Sequence, residues 1–406
     1  MLRFAPSIIL CISILSSVVP NASAQKLSHP HKIVQKNTTA QNIIDEKPPL
    51  RTKALYSLEK VTSSDLPTLP IDSVTAGADA KIAFQSALQK QLDRCLVESQ
   101  DEQWSFAGTM VSRKQWCVKT VQWFLAKIAV SPTLEDVYQS AKKELQWYRS
   151  VGDPSAPSPN EVLFTGYYHP LLKAKLIKDA VYHYPLYRKP KNVNYTRAQI
   201  VAGALNGQGL EIAYASNPVD PYLMEVQGSG VVMLQNADGT ETRVLVNYGG
   251  ENSYPYTSLG KLMRAAGIPD EYISLQGIRK YFIDEHPELW EKFSNQNESY
   301  VFFTEAADGP YGSAGVILTP GHSIAVDLKQ FPLGAIALVQ SEKPTNTTGE
   351  DVDAWQPFAQ FMISQDTGGA IKGPGHIDIY WGSGPYAEMV AGHSQQIGRL
   401  YFCLVP

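Results

Sequence analysis

The stretch GGAIKGPGHIDIYWGSGPYAE, residues 368–388, places one aspartate, Asp378, inside a strand-like apolar run that glycines flank on both sides. Moving a carboxylate out of water costs free energy unless the group is paired or protonated. Partial burial would therefore raise the pKa of Asp378, and an acid that is protonated near neutral pH can act as a general acid. The glycines leave the backbone open to a bulky ligand. The stretch thus predicts a β-segment that carries a reactive carboxyl group.

Two further aspartates lie at the ends of apolar β-segments in the same region. Asp327 ends the run SIAV, and Asp366 follows FMISQ just before a Thr-Gly-Gly sequence. Carboxylates at such positions accept hydrogen bonds from the amides of the turn that follows. We therefore expect structural support from both, with Asp366 bonding the glycine loop. Three aromatic residues near Asp378 offer flat faces of the kind on which sugars stack, namely Tyr380, Trp381 and Tyr386.

The first 24 residues have the pattern of an export signal. Arg3 precedes an apolar stretch from Ile8 to about Val19, and Ala22-Ser23-Ala24 forms a small-residue cleavage site. We expect cleavage after Ala24 and an exported, periplasmic protein, either soluble or associated with the outer membrane. The apolar stretch is too short for a transmembrane segment, and Cys11 lacks the preceding small residue of a lipid-attachment signal. Residues 25–75 are polar and Pro-rich and predict a flexible leader.

Charge and cysteine content narrow the function classes. A net charge of -4 with mixed signs argues against nucleic acid as the main partner. Cys95 and Cys117 either bridge two helices in an oxidising compartment or remain, like Cys403, small buried apolar residues. No cysteine or histidine spacing matches a metal site, and we expect no metal and no cofactor. His376 and His393 are expected to be hydrogen-bonded or surface histidines without a catalytic role.

Local patterns predict helices first and short strands afterwards. Apolar residues fall on one helical face from Phe84 to Leu96 and again from Cys117 to Ile128, and a third helix begins at the N-cap Thr133 and runs to about Ser150. Residues 231–246 predict a hairpin around Asp238-Gly239. Further helices are predicted near 258–266 and 271–285, and the last hundred residues return to short β-segments typical of a small barrel.

Seven motifs resemble, in order, those of the lytic murein transglycosylase A family. They are FTGYYHP (164–170), YPLYRKP (184–190), GALNGQGLEIAYASNPVDPYLMEVQGSG (203–230), NYGGENSYPYTSLGKLM (247–263), SYVFFTE (299–305), LTPGHSIAVD (318–327) and the stretch from Asp366 to Gly384. The resemblance covers residues 160–406 continuously. Several separate motifs in one order are far more specific than any single pattern.

The resemblance implies a mainly β fold with helices. A double-psi β-barrel catalytic domain would consist of residues 76–164, with a helical N-terminal part, and residues 300–406. A second β-barrel domain for substrate binding, residues 165–299, would be inserted in it, with a groove for a glycan strand between the two domains. We expect a monomer that binds peptidoglycan glycan strands, with cell-wall synthesis enzymes as candidate protein partners.

The resemblance also assigns the site. Asp327, Asp366 and Asp378 correspond to the three aspartates of the family's barrel segment, and the family's catalytic acid falls on Asp378. The implied activity is that of a murein lytic transglycosylase, a lyase that leaves 1,6-anhydromuramic acid ends and uses one aspartate first as acid and then as base. The implied substrate-binding residues are Thr165, Tyr168, Gln227, Gly228, Ser229, Gly230, Gly369 and Lys372.

Two other interpretations stay open at this stage. The protein could be a non-catalytic peptidoglycan-binding module that holds glycan without cutting it. It could also be a glycan hydrolase with Glu225 or Glu305 as a second carboxylate. For Gln227 a buried structural amide is an alternative to substrate binding, and Lys372 could be a solvated surface lysine.

Overall fold

A computed structural model describes residues 57–68, 71, 80–349 and 351–406. The predicted signal peptide and most of the predicted leader lie outside the described residues. The strands are β1 (Leu58–Val61), β2 (Gln103–Phe106), β3 (Thr109–Ser112), β4 (Gln146–Ser150), β5 (Val162–His169), β6 (Leu171–Lys175), β7 (Tyr184–Tyr187), β8 (Glu211–Ala215), β9 (Gly230–Gln235), β10 (Glu241–Glu251), β11 (Val301–Ala306), β12 (Ser323–Ala325), β13 (Ile336–Pro344), β14 (Trp355–Asp366), β15 (His376–Ser383) and β16 (Gln396–Leu404).

The helices are of three types: α, π and 3-10. The α-helices are α1 (Ala80–Val97), α2 (Thr120–Val130), α3 (Leu134–Glu144), α4 (Arg197–Val201), α5 (Val219–Gln227), α6 (Leu259–Ala265), α7 (Leu275–Arg279), α8 (Trp290–Ser294) and α9 (Pro385–His393). A π-helical segment at Lys114–Lys119 leads into α2. A second one, at Lys280–Glu285, follows α7. Short 3-10 helices lie at Ser63–Asp65, Asp270–Tyr272 and Pro287–Leu289.

Six strands close into a barrel in the order β16-β13-β14-β12-β15-β5, because β5 pairs back onto β16. The pairs β12–β14 and β15–β5 are parallel, whereas the other pairs of the ring are antiparallel. This is the predicted double-psi β-barrel. Closure leaves no strand of the ring with an open edge, which removes the tendency of a free edge to pair with another chain.

The barrel interior follows the two-residue alternation of its strands. On β15 the inward residues are Ile377, Ile379 and Trp381, and they pack with Ile324, Met362 and Phe402 from neighbouring strands. The outward residues of the same strand include Asp378 and Tyr380. The apolar residues of this stretch therefore face the interior of a closed barrel, and Asp378 lies on the opposite face of the strand.

The helical N-terminal part packs against the barrel and is tied by a disulfide. Phe84, Val121 and Val137 from the three helices lie in one buried cluster with barrel residues. Cys95 on α1 bonds Cys117 in the π-helical segment, and Cys403 is a free buried cysteine. The predicted N-cap Thr133 accepts a hydrogen bond from the Asp136 amide at 3.1 Å.

Three local expectations differ from the structure. The third helix ends at Glu144, and residues 146–150 form β4, which β1 and β16 flank as pairing partners. Leu96, predicted on the apolar face of the first helix, is 58% exposed in the last turn of α1. Strand β1 lies inside the segment 25–75 that the sequence predicts as a flexible leader. Leu58 is buried there, so residues 57–68 are part of the fold.

A second sheet is inserted between β5 and β12, with strand order β11-β10-β9-β6-β8-β7. A single bridge between Arg188 and Phe303 brings its two edge strands together. The predicted hairpin is β9–β10, with Gly239 at a φ of 82° in its turn. The expected domain boundary at 165 falls inside β5, and β11 belongs to the inserted sheet. We propose boundaries near 170 and 306 for this reason.

Helices α5 to α8 form a separate apolar cluster beside the inserted sheet, with Tyr222, Phe282 and Trp290 among its buried rings. None of the helices in the described part of the chain combines the length and the apolar character that a membrane crossing requires. The helical cluster contacts the barrel through α7 and α9, and this contact brings the inserted domain close to β15 and β5.

Candidate active site around Asp378

Asp378 points away from the core of the barrel. Its strand neighbours Ile377 and Ile379 are buried in the core, so the side chain between them lies on the outer face. The residues beside it on adjacent strands are Ala325 on β12 and Thr165 on β5. The register of three strands thus places the carboxyl group of Asp378 on the outside of the barrel.

Burial raises the pKa of Asp378 to about 7, and the negative charge of Asp366 acts in the same direction, whereas hydrogen bonding by Thr165 opposes the rise. The residue as a whole keeps some accessible surface, but its Oδ1 atom is buried and has no hydrogen-bond partner within the described part of the chain. A carboxyl group in this state holds a proton near neutral pH and can also release it there.

Asp366 lies on the far side of Ala325, because Ala325 pairs with Asp366 on β14 and with Asp378 on β15. It accepts hydrogen bonds from the Ser313 amide at 2.9 Å, the Thr367 amide at 2.8 Å and the Tyr167 hydroxyl at 3.0 Å. Burial raises the pKa of Asp366, and these hydrogen bonds counteract the rise. Asp366 therefore contributes negative charge near Asp378 while its own oxygens are occupied.

Asp327 bonds the glycine loop that precedes β15. Its two carboxylate oxygens accept from the Lys329 amide at 2.9 Å and from the Gly373 amide at 2.8 Å. Asp366 accepts from the Thr367 amide at the start of the glycine loop, in line with the sequence prediction, whereas the Gly373 amide further along the loop donates to Asp327. The reason is the fold, because the loop turns back from β14 towards the end of β12. Asp327 thereby fixes the start of the strand that carries Asp378.

The predicted residues of the inserted domain converge on β5. The Gln227 side chain accepts a hydrogen bond from the Tyr168 amide at 3.0 Å, across the two domains. Gly228 ends α5 at a φ of 77°, a conformation that favours glycine. At Gly230 a Cβ atom would lie 2.2 Å from the end of the Met224 side chain. The ring of Tyr168 is buried in the barrel core, so its part of this contact is the backbone.

The predicted loop residues are accessible, whereas two of the predicted stacking rings are not. Gly369 and Lys372 are exposed, and a Cβ atom at Gly369 would meet nothing within 4 Å. Tyr380 and Trp381 are each only 3% exposed, so neither offers a face to a sugar. Trp381 is an inward residue of β15, and Tyr380 packs against Tyr167, which explains why both expectations of stacking fail.

Neither alternative carboxylate is free for catalysis. Glu225 is buried and bonds both Nη atoms of Arg197, at 3.1 and 2.8 Å. Glu305 accepts from the Arg188 Nε atom at 2.9 Å, and this bond lowers the pKa of Glu305. A cavity of about 560 Å³ lies inside the inserted domain and includes Glu225 and Arg197 in its wall, but it shares no residue with the site around Asp378. Of these three carboxyl groups, Asp378 is the candidate acid that is not bonded to an arginine in the described part of the chain.

Sequence reasoning expected His376 to be only a hydrogen-bonded or surface histidine and did not single out Tyr167, so it placed neither residue at the site. His376 Nε2 lies 2.9 Å from the hydroxyl oxygen of Thr165, and Tyr167 bonds Asp366. Both could have been found from strand periodicity, because His376 is two residues before Asp378 and Tyr167 is two residues after Thr165, so each pair shares one face. Among the residues that the structure describes, no group of three or more His, Cys, Asp and Glu side chains could hold a metal ion.

Fold and site together define a class: double-psi barrel proteins with an inserted sheet domain and an outward acid, Asp378, whose pKa is raised to about 7. Residues 163–304 match the family model described as the MltA specific insert domain, and residues 322–404 match the model described as the 3D domain. The membrane-bound lytic murein transglycosylase A of Vibrio cholerae is 36% identical over 291 residues, which cover 67% of this chain and 77% of that protein. The chain belongs to the lytic murein transglycosylase A family.

Other relatives agree with this assignment. The membrane-bound lytic murein transglycosylase A of Escherichia coli K12 is 32% identical over 274 residues, or 63% of this chain and 73% of that protein. The crystal structure of the membrane-bound lytic murein transglycosylase from Agrobacterium tumefaciens superposes with a TM-score of 0.68 at 26% identity, covering 86% of this chain and 98% of that one. E. coli MltA with bound chitohexaose gives a TM-score of 0.65 at 25% identity, covering 89% and 100%.

Proposed function

We propose that this protein is a lytic transglycosylase that cleaves the β-1,4 bond between N-acetylmuramic acid and N-acetylglucosamine in peptidoglycan and forms 1,6-anhydromuramic acid ends. The observation that carries the proposal is the outward carboxyl group of Asp378, whose pKa burial raises to about 7. The names of the family relatives and the chitohexaose bound by one of them support the substrate class.

One aspartate can perform both steps of this reaction. In the first step Asp378 donates its proton to the glycosidic oxygen while the bond from that oxygen to C1 of the muramic acid breaks. In the second step the Asp378 carboxylate accepts the proton of the C6 hydroxyl while O6 forms a bond to C1. The proton lost in the first step is regained in the second, and no water is consumed. A pKa near 7 suits both roles because neither protonation state is strongly disfavoured.

The intramolecular attack reduces the need for a second carboxylate. The C6 hydroxyl is tethered to the ring that it attacks, so positioning replaces activation of an external nucleophile. The negative charge of Asp366 supports a positively charged transition state at C1. Glycosidases that use water usually employ a second carboxylate beside the acid, and Glu225 and Glu305 are both bonded to arginines. This pairing favours the transglycosylase over the hydrolase.

Substrate binding is assigned to groups around the junction of the two domains. Thr165 on β5 and the segment from Gln227 to Gly230 would contact the glycan strand from one side, and Gly369 from the other. Tyr168 would contribute through its backbone contact with Gln227. Lys372 is exposed and would attract the acidic peptide stems. Asp327 and Asp366 support the site structurally.

The same proposal places the protein in the cell envelope. The predicted export signal and the description of the relatives as membrane-bound support an exported, periplasmic enzyme. We propose peptidoglycan as its partner, a monomer as its working form, cell-wall synthesis enzymes as candidate further partners, and activity without a metal or cofactor. Treatment of the mature protein with a chelator should therefore leave its activity unchanged.

Incubation of the mature protein with murein sacculi, followed by mass spectrometry of the soluble fragments, distinguishes the candidate functions. The transglycosylase releases fragments with 1,6-anhydromuramic acid ends. A hydrolase would release reducing-end muramic acid, and a binding module would release no fragments although it sediments with sacculi. Either of the last two results contradicts the proposal.

The substitution Asp378→Asn tests the residue. Removal of the transferable proton should lower the release of anhydromuropeptides by roughly 10²–10⁴-fold or more, because that is the usual contribution of general acid–base catalysis. Asp284→Asn is a matched control, since Asp284 is an exposed carboxylate of the inserted domain. Circular dichroism should show both variants folded. Near-normal product release by Asp378→Asn would falsify the assignment.

A further inference from the structure

His376 and Asp378 share the outer face of β15 because they are two residues apart. Thr165 on β5 pairs with Asp378 in the strand register, and its hydroxyl oxygen lies 2.9 Å from His376 Nε2. The same hydroxyl group is also within reach of the Asp378 carboxyl group, and a hydrogen bond that it donated there would lower the pKa of Asp378. Thr165 therefore stands between a histidine ring and the acid, and it contacts both.

The Thr165 hydroxyl has a single hydrogen, so only one neighbour can receive it. Burial lowers the pKa of His376, and the positive charge of Lys261 on α6 adds to the effect, so the ring is neutral near pH 7. A neutral imidazole has one donor and one acceptor nitrogen. The Ala370 carbonyl, which can only accept, acts on the ring and raises its pKa, and Thr165 occupies Nε2. We therefore assign the ring hydrogen to Nδ1, which leaves Nε2 as an acceptor for Thr165.

We propose that His376 is a positioning residue that accepts the hydroxyl hydrogen of Thr165, withholds it from Asp378 and so keeps the acid protonated before each turnover. The inference rests on the proposed role of Asp378 as the acid. Without His376, Thr165 would donate to the carboxylate and stabilise its charged form. Once Asp378 has given its proton to the glycan, the hydroxyl can rotate and donate to the new carboxylate.

Other groups around the pair act separately from this competition. Asp366 on β14 opposes the charged form of Asp378 through its own charge, and the buried hydroxyl of Tyr167 on β5 bonds Asp366. Tyr380 on β15 and Ala325 on β12 complete the outer face. Lys261 faces His376 from the inserted domain and disfavours its protonation. None of these groups competes with the Asp378 carboxylate for the hydroxyl hydrogen of Thr165, as His376 Nε2 does.

The pH dependence of kcat/KM for glycan cleavage tests the proposal, because its alkaline limb reports the pKa of the acid in the free enzyme. His376→Ala should move this limb down by about one pH unit and lower kcat/KM at pH 7 about fivefold, with full activity at acidic pH. Thr165→Val should not move the limb down, and the double variant should resemble Thr165→Val. Thr165→Ser keeps the hydroxyl, so its alkaline limb should lie at the same pH as that of the natural protein, whatever its absolute kcat/KM. An unmoved limb in His376→Ala, or a downward shift in the double variant, overturns the proposal.

A second measurement does not depend on activity or on variants. Long-range ¹⁵N–¹H correlation spectra of the mature protein with ¹⁵N-labelled histidine show which ring nitrogen of His376 carries hydrogen. A protonated Nδ1 with a free Nε2 supports the inference, and a protonated Nε2 overturns it. If Asp378→Asn instead keeps its activity, the proposed function fails, whereas the tautomer and its bond to Thr165 are unaffected. The two failures are therefore distinguishable.

Discussion

At the scale of single residues, the property that makes Asp378 useful also costs stability. Its pKa rises from 3.8 to about 7 on folding, mainly through burial. Between these two pH values the native state holds a proton that the unfolded state has released. The free energy of unfolding therefore falls as the pH rises through this range, and the stability that the neutral acid provides is lost above pH 7. The proposed acid role of Asp378 therefore comes with a lower free energy of unfolding at neutral and alkaline pH.

Asp378→Asn should accordingly be more stable than the natural protein at pH 8, by ~1–3 kcal/mol after allowance for partial solvent access. The difference should vanish near pH 4, where both side chains are neutral. Urea unfolding at pH 4, 6 and 8 measures it, with Asp284→Asn as the control that should show no such trend. A variant that is less stable than the natural protein at pH 8 would show that the carboxylate is well solvated or paired after all.

The sequence singled out Asp378 as the candidate acid but did not show which groups surround it. Asp378 could be identified because a charged residue in an apolar strand is unusual and has few structural explanations. Strand periodicity places His376 on the face of Asp378, but its hydrogen bond to Thr165 could not be predicted, because Thr165 lies 211 residues away in the chain. The burial of Tyr380 and Trp381 could not be predicted either. It depends on which face of β15 points into the barrel and on what covers the outer face.

At the scale of secondary-structure elements, the disulfide between α1 and the π-helical segment before α2 is the strongest local constraint. It joins residues separated by 22 positions, and the Gln91 side chain lies 3.3 Å from Cys95 Sγ and 3.6 Å from Cys117 Sγ. A crosslink of this loop length restricts the unfolded chain and contributes about 3 kcal/mol. The helices pack on the outside of the barrel. The strands that they cover lie far away from them in the sequence.

Reduction of the disulfide should therefore lower the thermal midpoint of the natural protein by several degrees. The double variant Cys95→Ser, Cys117→Ser should start at the lower midpoint and show no further response to reductant. Cys403→Ala is the matched control, because Cys403 is a free cysteine and its loss should leave the response to reductant intact. Differential scanning calorimetry with and without reductant gives the answer, and equal midpoints in both conditions for the natural protein would contradict it.

Elements were predictable where the signal is local. The N-cap of α3 and the β9–β10 turn rest on a few adjacent residues, and both were placed correctly. Strand β4 was mistaken for the end of a helix because its partners β1 and β16 are distant in sequence. Strand β1 was missed for the same reason, since its polar, Pro-rich surroundings give no periodicity. Pairing between distant segments overrides local preference in both cases.

At the scale of the whole molecule, the barrel and the inserted domain meet at Arg279 on α7. Its Nε atom bonds Asp220 on α5 at 2.7 Å, its Nη1 atom bonds Glu388 on α9, and its Nη2 atom lies 3.5 Å from the Tyr168 hydroxyl. Residue order and motif order implied two domains, and closure of the barrel by the β5–β16 pair confirms the architecture. The contacts of Arg279 could not be predicted, because nothing in the sequence pairs this residue with Asp220, Glu388 or Tyr168.

Arg279 should control glycan binding more than chemistry. Helix α5 leads directly into the segment from Gln227 to Gly230, and β5 carries Thr165, so loosening Arg279 shifts the two sides of the proposed groove relative to each other. We expect Arg279→Gln to raise KM for the glycan about tenfold, or about 1.4 kcal/mol, with a smaller effect on kcat. Steady-state kinetics on soluble glycan strands measure both constants, and Arg264→Gln, which removes an exposed ion pair with Asp270, is the matched control.

A double-mutant cycle shows whether Arg279 acts through the contact between the domains. If the bond to Glu388 carries the effect, Glu388→Gln alone should raise KM, and adding it to Arg279→Gln should cost little more, because residues in one ion-pair network are not additive. Full additivity of the two changes, or a loss confined to kcat, would mean that Arg279 does not set the spacing of the domains. Non-additive changes in KM would show that the groove is maintained by the charged contact between α7 of the inserted domain and α9 of the barrel domain.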